Sequence, residues 1–221
     1  KSYEPLESWL TKPLLLIGGW WDPHLKGILD IYAKAKNAGG NPKLLIGPAT
    51  HLQWWEGVQR TQLKFLDNHL KRKNKKHLLP QINLWNLTKK SWEVSVRKDT
   101  PTWSLHSEGL ASINHLEGSL IPNSNSNSKV NSEVNLVHDP WRPVPSIGGH
   151  LSDTPGEVNR FKLDIRPDVA VFTSGRISKD LRLEGIPILS LGTNCDRESF
   201  DLFIALSKIP GEIGNVATQL S

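Results

Sequence analysis

The sequence predicts an α/β unit followed by an all-β sandwich, and three observations carry that prediction. The stretch from Pro13 to His51 holds two short, wholly apolar runs, Leu14 to Ile17 and Leu44 to Ile46, each ending at glycine. Strands buried on both faces of a parallel sheet read as continuous apolar runs of this kind. Between them, Leu25, Ile28, Leu29 and Tyr32 fall on one face of a helix that closes with Asn37-Ala38-Gly39-Gly40. Strand, helix, strand makes a crossover unit, right-handed by the general rule. After Pro80 the pattern changes to short alternating runs separated by Gly, Pro, Asn and Asp, with no convincing helix among them. Many short punctuated strands are the pattern of a sandwich.

Taken in order, residues 1–12 are a lead-in whose Leu6, Trp9 and Leu10 can cover a sheet edge or pocket. The crossover unit runs to His51. A second amphipathic helix is expected from about Glu56 to Lys73, with Leu63, Leu66 and Leu70 on one stripe and Phe65 and His69 beside it. It would pack on the sheet. Strands are expected at Ile82–Trp85, Trp92–Val96, Phe161–Ile165, Val169–Phe172, Leu181–Leu183, Ile186–Leu191 and Phe200–Leu206. The repeat Asn123 to Ser128 cannot bury enough to fold and reads as a loop. Asn86-Leu87-Thr88 fits a glycosylation pattern, a single match of the kind expected by chance that carries meaning only in a secreted protein. The division falls between Lys71 and Pro80, giving units 1–76 and 77–221. Two parallel strands and two helices leave sheet faces and an edge uncovered, so the first unit is expected to be incomplete and to pair with strands from elsewhere.

The 221 residues carry a formal charge of +5, much of it in Lys71-Arg72-Lys73-Asn74-Lys75-Lys76. That run lacks interleaved aromatics and sits where a helix ends, a place that favours cations. It reads as a solvated helix end, and no nucleic-acid partner is expected. An interaction protein using the basic run is the rival, and its binding to anionic partners would collapse with salt. No apolar run approaches the ~20 residues needed to span a bilayer, so no membrane partner is expected. Cys195 is the sole cysteine, so no intrachain disulfide can form, which fits a reducing, cytoplasmic setting. The eight histidines show no paired ligand spacing, and Gly18-Gly19 lacks the dinucleotide spacing. Neither a metal nor an organic cofactor is expected.

Asp22 and His51 each fall beyond the carboxyl end of an expected strand, where functional residues of such sheets gather. Asp22-Pro23 also fits an N-cap followed by proline at the first helical position, and His51 alone is a polar loop residue. As a pair, the carboxylate would fix the imidazole tautomer and leave the other nitrogen to take a proton from a nucleophile. Acid then histidine is how the α/β-hydrolase order of nucleophile, acid, histidine ends. No G-x-S-x-G occurs in the chain. Ser174 precedes Gly175, but Phe172 stands where the first glycine is required.

Gly18-Gly19-Trp20-Trp21-Asp22 and Gly47-Pro48-Ala49-Thr50-His51 resemble the acid and histidine motifs of the X-Pro dipeptidyl-peptidase and cocaine-esterase-like α/β-hydrolases. Phe65 to Lys71 is similar to the helix leading out of that family's catalytic domain. Asp139-Pro140, Pro143-Val144-Pro145 and Gly148-Gly149 resemble a loop signature of its C-terminal jelly-roll, galactose-binding-like domain. Arg166-Pro167-Asp168-Val169 with Phe172-Thr173-Ser174 resembles the next signature, and Phe200-Asp201 to Leu206 a later strand. The resemblance covers nearly the whole chain, in the family's order.

It implies the end of an α/β-hydrolase sheet followed by most of a jelly roll. It also implies a serine hydrolase acting on a small ester or peptide substrate, at acyl or X-prolyl bonds. Asp22 and His51 would be triad members, with the nucleophilic serine and an oxyanion-hole tyrosine lying before this segment. Trp20, Trp21, Trp54 and Trp55 would line an apolar acyl or prolyl pocket, or else pack a domain interface. Homo-oligomer formation stays open. Three departures stand out. Ala49 occupies a position where the family usually has tryptophan, the tail stops at Ser221 short of the family's later strands, and the serine elbow is missing. The alternative is a non-catalytic sandwich module binding carbohydrate or peptide, with a vestigial hydrolase segment in front. Retention of Asp22 and His51 in the right order speaks against decay.

Overall fold

A computed structural model of the chain describes residues 7–71, 79–95, 101–123, 133–179, 181–209 and 218–219. Two compact units emerge. One comprises Lys1–Val96 with Ile147–Glu157 and Leu220–Ser221, the other Arg97–Ser146 with Val158–Gln219.

In the first unit, β1 (Leu15–Trp21) and β2 (Lys43–Thr50) run parallel, joined through α2 (Leu25–Asn37), with a one-turn helix α1 (Glu7–Leu10) ahead of them. The crossover expected from the apolar runs is present. Leu44, Leu45, Ile46 and Ala49 of β2 form the buried centre of the sheet. Leu15, Leu16 and Ile17 of β1 are only half-buried, because β1 stands at the end of the strand order and pairs with β2 alone among the described residues.

The α2 helix lies close on β1 because Gly18 has no side chain: a Cβ there would press into Leu25 and touch Ile28. Its end forms a complete Schellman motif. Gly40 N–H donates to Ala35 O and Gly39 N–H to Lys36 O, with Gly39 at φ 80°. An L-residue in that left-handed region costs about 1–2 kcal/mol. Gly39→Ala is therefore expected to lower unfolding free energy by about 1 kcal/mol, read as a shift in the urea midpoint at unchanged m-value.

The sheet does not stop at the expected division. β3 (Ile82–Asn86) pairs parallel to β2, with Leu44 opposite Ile82, and β4 (Ser91–Val94) returns antiparallel to β3. Both strands fall where alternation placed them, yet they complete the first unit's sheet in the order β1-β2-β3-β4. The 76/77 boundary thus differs from the observed units. Alternation marks a strand with one wetter face and says nothing about which sheet takes it. Asn86, of the glycosylation pattern, instead organises the hairpin: its Oδ1 accepts from Thr88 N–H and Lys89 N–H, and its amide donates to Glu93.

The helix α3 (Val58–Leu70) forms where expected but is turned the other way. Val58 is buried and Thr61, Phe65 and Asn68 are half-buried, whereas Leu63, Leu66 and Leu70 are exposed. The leucine stripe read as the packing face looks outward.

In the second unit, β5 (Trp103–His106) pairs antiparallel with β6 (Gly118–Pro122), and β6 pairs parallel with β7 (Phe172–Ser174). A two-residue ladder joins β8 (Ser207–Lys208) and β9 (Thr218–Gln219). The strand expected at Phe161–Ile165 is instead a helical turn, α4 (Phe161–Asp164). Asn159 Oδ1 accepts the Phe161 N–H, and Arg160 reaches Asp164 at 3.3 Å one turn on, so local bonds override the alternation. The expected Val169–Phe172 strand begins only at Phe172.

Leu181–Leu183, Ile186–Leu191 and Phe200–Leu206 are not strands, and their apolar residues stay exposed, Ile188 at 92% and Phe203 at 78%. Alternation supplies a face, but a strand also needs a neighbour to take its N–H and C=O groups, and none pairs with these segments among the described residues. Arg166 grips Asp168 through two bonds, Nε to Oδ1 at 2.7 Å and Nη2 to Oδ2 at 2.6 Å, and donates to Arg142 O. That fork holds the Asp168 carboxyl below its ordinary range. Leu6, Val96, most of the basic run after Lys71 and the Asn/Ser repeat after Asn123 lie outside the described residues. No helix among the described residues is long and apolar enough to cross a membrane.

Candidate active site

Asp22 and His51 follow immediately on β1 and β2, at the carboxyl ends of two adjacent parallel strands. A register shift decides how they meet. Gly19 lies opposite Gly47, but Trp21 lies opposite Thr50, so two steps along β1 face three along β2. The extra residue falls in the Pro48-Ala49 pair, where proline has no N–H to give to a ladder, and a bulge of this kind re-aims the residues beyond it. In a regular register Asp22 would face Thr50. With the bulge it faces His51. Gly19 permits the close approach, since a Cβ there would strike the Ala49 carbonyl.

The Asp22 side chain is buried, with the residue 7% exposed. Its Oδ1 lies 3.3 Å from His51 Nδ1 and accepts the His24 N–H at 2.9 Å. The capping reading needs correction here. The residue preceding α2 is His24, which makes no side-chain cap bond, and Asp22 instead closes an Asx-type turn over Pro23. One buried carboxylate thereby holds a turn and faces a histidine. The His51 imidazole is 55% exposed, and the His24 ring sits beside it with centroids 4.8 Å apart. Sequence reasoning passed over His24. The available signal was its place two residues after Asp22, on the same turn.

Residues 1–53 match the family model of the X-Pro dipeptidyl-peptidase (S15 family), and residues 57–218 match that of the X-Pro dipeptidyl-peptidase C-terminal non-catalytic domain. The second match alone spans well over half of the chain. The chain belongs to the X-Pro dipeptidyl-peptidase family. This is a family of serine peptidases, hydrolases by reaction class, and the chain corresponds to its C-terminal portion. No curated protein matches the chain. Asp22 and His51 both fall inside the match to the X-Pro dipeptidyl-peptidase model, while Trp54 and Trp55 fall just outside it.

The four candidate pocket tryptophans of this X-Pro dipeptidyl-peptidase family chain separate. Trp20 Nε1 donates to Trp85 O at 2.8 Å. Trp55 stacks edge-on to Trp92, which in turn meets Trp85, so a ladder of indoles lies against the sheet. Gly47 makes room for it: a Cβ there would run into the Trp55 ring. Trp54 is partly exposed and borders a cavity of about 220 Å³ with Ile17, Val58, Gln59 and Gln62. Trp55 and Trp92 border another of about 260 Å³ with Leu45, Thr61 and Asn83. Asp22 and His51 line neither cavity. Trp21 Nε1 is buried without a hydrogen-bond partner among the described residues. Ser174 lies on β7, in the second unit.

The fold also groups side chains that no ligand spacing in the sequence brings together. Asp22, His24 and His51 each present a ligand atom, and those atoms lie within 4.8 Å of one another. The spacing that sequence lacks is made by the fold, which brings a histidine from the end of β2 onto the turn after β1.

Proposed function

We propose that Asp22 and His51 are the acid and the base of a Ser-His-Asp triad in a serine hydrolase that cleaves ester or peptide bonds, acyl or X-prolyl. The observation that carries this reading is the 3.3 Å approach of His51 Nδ1 to the buried Asp22 carboxylate, beyond adjacent parallel strands and inside the catalytic-family match. His51 takes the proton of the attacking serine and returns it to the leaving group. Asp22 holds the Nδ1–H and offsets the imidazolium charge as it forms.

The serine and the oxyanion donors come from a part of the protein outside these 221 residues, whose strands would pair with the outer edge of β1 and complete an α/β-hydrolase sheet. The second unit serves as a non-catalytic jelly roll. Asp22 and His51 alone supply base and orienter without a nucleophile. The purified 221-residue chain is therefore expected to show no turnover of a chromogenic ester or an X-Pro dipeptide amide. Turnover that His51→Ala abolishes would place a nucleophile within this chain and overturn that part of the reading.

A further inference from the structure

The strongest unassigned feature is the third side chain beside the pair. We infer that Asp22, His24 and His51 form a site for a divalent transition cation of the zinc class. Tetrahedral zinc binds histidine nitrogen and carboxylate oxygen at about 2.0–2.2 Å, which sets neighbouring ligand atoms roughly 3.4 Å apart. Asp22 Oδ1 and His51 Nδ1 already stand 3.3 Å apart, one edge of such a tetrahedron. The widest separation in the trio is no more than 4.8 Å, so about 1.4 Å of closure completes the triangle.

That closure falls on the right residues. Asp22 is the buried, fixed member, its carboxylate already held by the His24 N–H. Both histidines are exposed, so their rings can turn without disturbing a packed core. The tilt of 59° between the two rings keeps them from lying flat on one another. Two imidazoles and one carboxylate leave a fourth position open, the donor set of open zinc sites, and imidazole donors favour zinc, cobalt, nickel or copper over calcium or magnesium.

The same carboxylate and the same histidine are claimed by the proposed triad, so metal and catalysis compete. Zinc on His51 removes the base, and zinc on Asp22 removes its orienter. This consequence rests on the triad reading, whereas the site itself does not.

The test is calorimetric titration of the 221-residue chain with zinc chloride, paralleled by the visible spectrum of its cobalt(II) form. Wild type should bind one zinc through this trio and show the ligand-field bands of four-coordinate cobalt. His24→Ala and the bulkier His24→Gln keep the backbone N–H that holds Asp22, and circular dichroism checks that each stays folded. Both should weaken zinc binding on the order of 100-fold and lose the cobalt bands. Absence of zinc binding by wild type, or affinity unchanged in both variants, overturns the site. In the intact enzyme, inhibition that follows the same zinc affinity supports the competition. Full turnover with zinc bound through His24 overturns the competition and faults the triad reading, not the metal site.

Discussion

Asp22→Asn in the intact enzyme is expected to lower turnover by about 10⁴ while leaving the protein folded. The size is that of the serine-protease precedent, in which the amide leaves geometry in place but favours the wrong imidazole tautomer. Asp22 meets two donors, His24 N–H and His51 Nδ1. Asparagine keeps one acceptor oxygen, so the turn over Pro23 persists, since asparagine serves such turns as well as aspartate does. What it loses is the negative charge that lets a single oxygen, Oδ1, hold both the His24 N–H and the Nδ1–H. If Asp22 only held the turn, the same substitution would be nearly silent. His51→Ala should cost at least as much as Asp22→Asn, and the double variant little more than the worse single, because members of one catalytic unit are not additive. Turnover and melting temperature, measured together, decide it. A folded Asp22→Asn enzyme that keeps most of its activity returns Asp22 to a structural role.

The crossover unit was legible because its signals are local. Apolar runs, a 3.6-residue stripe and a terminal Gly-Gly are each read within a dozen residues, and Leu15–Trp21, Leu25–Asn37 and Lys43–Thr50 follow them closely. The placement of Asp22 and His51 beyond the strand ends came with it. What sequence could not show were pairings. The bulge at Pro48-Ala49 depends on how two strands align, and the Asp22–His24–His51 grouping depends on the bulge.

The misread elements fail for related reasons. The leucines of α3 form a true apolar stripe, yet Val58 is buried and Phe65 half-buried while the leucines stay exposed, because a stripe states that a face wants cover without saying what covers it. Phe161–Asp164 has the alternation of a strand, but the Asn159 bond and the Arg160–Asp164 pair close a turn first. The runs from Leu181 to Leu206 have strand composition but pair with no strand among the described residues. Tertiary context decides such cases, and period-two patterning does not contain it.

Gly19→Ala should lower turnover of the intact enzyme about 10²-fold or more and cost about 1–3 kcal/mol of stability, and it isolates the bulge as the device that aims the site. A Cβ on Gly19 meets the carbonyl carbon and oxygen of Ala49. These are backbone atoms of the bulge, so no rotamer change relieves the contact. Either β1 lifts off β2 or the bulge relaxes, and each moves Thr50 and His51 relative to Asp22. A displacement of about 1 Å is enough for a loss of that size where proton transfer needs aligned partners. Gly27→Ala supplies the control, because nothing lies within 4 Å of a Cβ there and the residue sits inside α2. It should hold turnover and raise stability by up to about 1 kcal/mol through helix propensity alone. Assayed well below the melting temperature of both variants, simple destabilisation leaves the turnover of folded enzyme untouched, whereas a misaimed histidine does not. Wild-type turnover in folded Gly19→Ala would mean that the register shift at Pro48-Ala49 has no part in aligning Asp22 with His51.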